Sequence, residues 1–95
     1  MTRDELLIRL RELKPWLEEQ GIVNVRLFGS YARDEAGPDS DVDLLVDLSK
    51  PLGWRFYSLA EDLTAMLGRD VDLLTTDGLR NAHIRSTALR DCVAV

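Results

Sequence analysis

Leu6, Leu10, Leu13 and Leu17 recur at spacings of three or four with charged residues between them, the pattern of an amphipathic helix. Thr2 and Glu5 stand at the spacing of a capping box, in which each side chain satisfies a backbone N–H at the helix start. Pro15 lacks the N–H that a helix interior needs. It predicts a break or kink near Leu13-Lys14 and a short continuation to Gln20, with Gly21 placed to end it. The period then changes to two. From Gly21 to Gly29, Val23, Val25 and Leu27 alternate with Asn24, Arg26 and Phe28, which reads as a strand. Ser30 to Glu35 predicts a short helix and Ala36-Gly37-Pro38-Asp39 a turn. Asp41 to Leu48 reads as a second strand with Val42, Leu44 and Val46 on one face. Leu59, Leu63 and Met66 place a helix from about Trp54 to Leu67, with Gly68 as its stop. Val71 to Thr75 reads as a third strand, Asn81 to Asp91 as a further helix, and Val93 to Val95 as a short edge strand or a disordered end. The order predicts a small α/β (α+β) domain, one face of a short sheet covered by helices.

Composition narrows the picture. Ninety-five residues make one domain, 1–95, whose core is thin because a chain this size hides only about two-thirds of its unfolded surface. It leaves no room for a catalytic domain plus a separate substrate domain. Hydrophobic residues at 45% and charged residues at 31% are globular values. Twelve basic and seventeen acidic residues give a net charge of −5, which disfavours direct nucleic-acid binding through a basic face. An acidic chain that handles phosphates needs metal ions to do so. The single Cys92 forms no internal disulfide and is expected to be inert. The polar start Met1-Thr2-Arg3-Asp4-Glu5 and the lack of an apolar run of roughly 20 residues lead to the expectation of a cytoplasmic protein without a membrane span. No repeat, low-complexity segment or linker interrupts the chain.

The chemistry concentrates in Gly29-Ser30 followed, after ten residues, by Asp41-Val42-Asp43. Side chains on a strand alternate faces, so Asp41 and Asp43 share one side while Val42 and Leu44 enter the core. Two carboxylates held this close raise each other's pKa unless a cation sits between them, and a hard divalent ion such as Mg²⁺ suits the oxygen donors. Val71-Asp72-Leu73 offers another carboxylate, able to reach the same site if the two strands are adjacent. Gly29 lets backbone approach a phosphate, Ser30 adds a hydroxyl donor, and the start of the helical turn presents N–H groups. Carboxylates for metal beside such a cradle are the equipment of two-metal phosphoryl or nucleotidyl transfer.

Gly-Ser, ten residues, then Asp-x-Asp resembles the signature of the polymerase-β-type nucleotidyltransferases. The wider run, Leu27-Phe28-Gly29-Ser30-Tyr31-Ala32-Arg33 with Ser40-Asp41-Val42-Asp43-Leu44-Leu45-Val46, is similar to the minimal nucleotidyltransferases (MNT family), and Asp70-Val71-Asp72-Leu73-Leu74-Thr75 sits where that family carries its third carboxylate. The resemblance implies a small mixed sheet in which Asp41 and Asp43 bind two Mg²⁺ and the triphosphate of ATP. Asp72 completes one metal site and serves as base towards the attacking hydroxyl. One departure stands out: Arg33 is followed by Asp34 where relatives commonly have Gly.

The resemblance further implies an antitoxin that transfers AMP from ATP to a tyrosine of a HEPN-domain toxin. Two alternatives stand beside it. One is a non-catalytic antitoxin acting by binding; the other is an adenylyltransferase of a small molecule, working as an oligomer. Arg33 is a candidate for the triphosphate or for pairing with Asp34, Asp39 or another surface acid. Asp70 and Asp77 are alternatives to Asp72, and Asp47 is expected to face solvent. His83 is expected to pack or lie on the surface. Trp16, Trp54, Phe56 and Tyr57 are expected as helix-packing groups, with a partner interface as the use of any exposed pair.

Overall fold

The first helix, α1 (Arg3–Glu19), starts where the Thr2 hydroxyl accepts the Glu5 N–H at 3.2 Å. Contrary to expectation, it runs through Pro15 without a break. Leu10 and Leu17, on either side of the proline, are both fully buried, while Pro15 itself lies on the exposed side. Burial of that continuous leucine face outweighs the one helical hydrogen bond the ring removes. Gly21 ends the run at φ +95°, its N–H donating to the Glu18 carbonyl. The computed structural model describes residues 2–35, 37, 40–76 and 92–95. The helix expected over Asn81–Asp91 with His83, and the alternative carboxylate Asp77, lie outside the described residues.

The first strand, β1 (Ile22–Phe28), departs from simple alternation. Its pairing slips between Val23 and Arg26, and Asn24 takes a left-handed φ of +51°, a β-bulge. The inward set is therefore Ile22, Val25 and Leu27; Val23 is only half-buried. A short turn of helix, α2 (Gly29–Ala32), leads towards β2 (Val42–Leu48). Next comes α3 (Arg55–Leu67), which buries Leu59, Leu63 and Leu67 and is stopped by Gly68 at φ +72°. Met66, expected inside, lies on the flank at 37% exposure.

Strands β3 (Val71–Thr75) and β4 (Val93–Ala94) complete a mixed sheet of order β3-β2-β1-β4. β1 pairs antiparallel with β2 and β4, whereas β2 and β3 are parallel. The parallel pair requires a crossover, and α3 supplies it. Val42, Leu44 and Val46 meet Leu6, Leu10, Leu59 and Leu63 in a core on the helix-covered face. Trp16 and Phe56 pack against that core. Trp54 and Tyr57 do not: they stand 86% and 63% exposed with ring centroids 5.9 Å apart. Tyr57 precedes Leu59 by two positions, about 200° around the helix, and so leaves the buried stripe. No helix among the described residues is long and apolar enough to cross a membrane.

Candidate active site

The face of the sheet away from α1 and α3 carries the polar residues. The register sets Phe28 opposite Asp43 and Asp43 opposite Asp72, so one rung runs across β1, β2 and β3. Asp41 lies two residues before Asp43, exposed, just outside β2. The Val42 N–H donates to the Asp70 carbonyl at 2.8 Å, which holds the mouth of β2 beside that of β3. Asp70 is thus used through its backbone, and Asp72 is the carboxylate that reaches Asp43.

Asp43 shows the consequence. Its pKa is pushed up to about 6, first by burial, then by the charges of Asp72 and Asp41, while Arg33 pulls it down. Asp43 and the three side chains that act on it here are among those the sequence singled out. Arg33 also holds Glu35 at 3.1 Å, another surface acid than Asp34, while Asp39 lies outside the described residues. Asp34 itself adopts φ +57°, a conformation that glycine takes without strain. The Asp meets this backbone requirement at some steric cost.

Gly29 sits at φ +75°, and a Cβ built on it would run into Asp43 Oδ2. The positive φ and the carboxylate beneath it together favour glycine at this position. α2 is a single four-residue turn, too short to bring more than a weak helix dipole to Gly29 and Ser30.

Asp47 lies two positions along β2 from Leu45, on the same face as Asp43, and is not the free surface group expected. It accepts from Thr76 Oγ1 at 2.6 Å and from Asn24 Nδ2 at 3.0 Å, and Arg26 lies 3.3 Å away. These donors, Thr76 foremost, hold its pKa below the usual carboxylate value. Sequence reading missed this cluster because it depends on the bulge at Asn24 and the pairing of β2 with β3; strand parity placed only Asp47 on the face of Asp43.

Among the described residues no three His, Cys, Asp or Glu side chains close on one point as a ready cage for a metal ion. Asp41, Asp43 and Asp72 form an open array instead. Its oxygen donors and the crowding that raises Asp43 suit a hard divalent ion whose remaining ligands come from a phosphate group.

The family model described as a nucleotidyltransferase domain matches residues 6–95. The chain is 41% identical, over its whole length and 97% of the relative's, to the protein adenylyltransferase MntA of Thermococcus cleftensis. It is similar to a solved structure described as a minimal nucleotidyltransferase, with TM-score 0.85 and 33% identity, covering all of this chain and 97% of that one. A chain from the complex of a tri-AMPylated Shewanella oneidensis HEPN toxin with its MNT antitoxin shares the fold at TM-score 0.56 and 24% identity, over 97% of this chain and 66% of that one.

Proposed function

This chain belongs to the nucleotidyltransferase domain family, and from that membership we propose that it is an Mg²⁺-dependent protein adenylyltransferase acting as the antitoxin of a HEPN-domain toxin. It transfers AMP from ATP to a tyrosine hydroxyl of that partner. The observation that carries the reading is the rung of Asp43 and Asp72 on neighbouring parallel strands, with Asp41 at its mouth and Gly29 directly over Asp43. The adenylyltransferase activity of the Thermococcus relative supports the reaction. The AMP-bearing HEPN toxin found with an MNT antitoxin supports the acceptor.

In this reaction the acceptor oxygen attacks the α-phosphorus of ATP. The new O–P bond forms as the bond to the bridging oxygen breaks, and pyrophosphate leaves with that electron pair. Asp41 and Asp43, with Asp72 completing one position, would hold the Mg²⁺ ions, which polarise phosphoryl oxygens and offset charge when bound. Asp72 accepts the hydroxyl proton, a role open to a carboxylate at the exposed end of the rung. Ser30 donates its hydroxyl to a triphosphate oxygen. Arg33, already acting on Asp43, turns from Glu35 to the same phosphates.

The test is incubation of the protein with α-labelled ATP, Mg²⁺ and the product of the adjacent gene, followed by mass spectrometry of the partner. Label on a partner tyrosine is the expected result. Protection of cells without label would make the antitoxin a binding protein, and label in a small soluble product would move the acceptor off protein altogether.

A further inference from the structure

Phe28 is the member of the central rung to which the chemistry above gives no task. It is the last residue of β1 and pairs with Asp43 across the strands. Leu27, its neighbour in sequence, is fully buried against the helices, so alternation turns Phe28 to the catalytic face. Phe28 is half-buried and, among the described residues, is not in the cluster packed on the helix-covered face, which leaves part of its ring exposed on the face of Asp43. Resting on the nucleotidyl-transfer reading, we propose that Phe28 is the platform on which the nucleobase of the donor stacks.

The order of the rung supports this placement. Asp72 and Phe28 flank Asp43 on opposite sides. The acceptor must arrive at the Asp72 end, where its proton is taken. The phosphates occupy the middle, over Asp43 and beside Gly29-Ser30. What remains of the donor, the nucleoside, is left to the Phe28 end. Residues opposite each other in antiparallel strands have Cβ atoms about 4.5–5.5 Å apart, so a ring at Phe28 lies within a ribose's reach of a phosphate over Asp43. A phenyl ring has no hydrogen-bonding group, so it offers a face to any base and does not separate adenine from guanine.

The test compares two probes by calorimetry in the presence of Mg²⁺: α,β-methylene-ATP, which cannot donate AMP, and inorganic tripolyphosphate, which has no base. Phe28→Leu is expected to weaken the nucleotide analogue about tenfold or more and leave tripolyphosphate unchanged. Phe28→Tyr, which keeps a π-face, is expected to bind both as the native chain does. Equal loss of both probes in Phe28→Leu would overturn the proposal, since Phe28 would then only shape the phosphate loop. No loss of either would overturn it too, because the base would then bind elsewhere. A native protein that bound neither probe would overturn the nucleotidyl-transfer reading itself, and this inference with it.

Discussion

At the scale of the residue, Asp43 balances two demands. Burial and the neighbouring Asp72 and Asp41 favour its protonated form up to about pH 6, yet the metal ligation proposed for it needs the ionised form. Because its folded pKa lies above the value of 3.8 it has when unfolded, the folded state binds more protons between those limits. In the absence of metal, Asp43 therefore costs stability as pH rises through that window, fully so above about pH 6. Asp43→Asn is expected to abolish AMP transfer and to raise the melting temperature of the metal-free protein at pH 7. That gain should shrink as pH falls from 6 towards 4, which thermal melts at the three values would reveal. Gly29 poses a simpler requirement. With φ at +75° and Asp43 directly beneath, Gly29→Val is strained and displaces the carboxylate, so nucleotide binding by calorimetry should be lost. The backbone strain is expected to lower stability by about 1–3 kcal/mol in denaturant melts. Both residues were legible in the sequence because Gly-Ser and Asp-x-Asp lie at a fixed distance. The reason for the glycine was not, because it requires knowing that β1 ends against β2.

At the scale of the element, period and stop signals located the helices and strands, and local rules failed where packing competed with them. Pro15 predicts a break, but the core contacts of Leu10 and Leu17 hold one helix across it. The ring still removes a backbone donor at an exposed site. Pro15→Ala restores that N–H and a better helix former, so it is expected to stabilise the protein by at least about 1 kcal/mol, read as a rise in the denaturant midpoint. Asn24 hid a different kind of information. A period-two reading put Val23 with Val25 and Leu27, but the extra residue of the bulge moves Val23 out of that set. Asn tolerates the left-handed backbone this needs, a signal too weak to choose between a bulge and a regular strand. The bulge also carries Asn24 and Arg26 to Asp47, so the polar cluster the sequence did not reveal follows from the same irregularity.

At the scale of the whole molecule, the site exists only because elements distant in sequence are brought side by side. Asp41 and Asp43 stand a whole helix and its two connections before Asp72 in sequence, and the crossover through α3 makes their strands parallel neighbours. Strand parity told which face each carboxylate would take; adjacency and register, set by how α1 and α3 cover the opposite face, were beyond it. This division of labour across the sheet yields a separable test. In the proposed reaction Asp43 and Gly29 serve donor binding from the middle of the rung, whereas Asp72 stands at its acceptor end. Removing the Asp72 carboxylate should leave the donor held but the hydroxyl without its base. Asp72→Asn is therefore expected to lower the transfer rate by at least ~10²-fold, the usual scale for losing a general base, with Mg²⁺-ATP affinity little changed. Because Asp72 is exposed and in a regular strand, the substitution should not alter folding. The variant should still bind the proposed toxin partner, yet leave it unmodified and active in cells. If it binds, adds no AMP and still protects fully, neutralisation is steric and the acceptor end of the rung has another use.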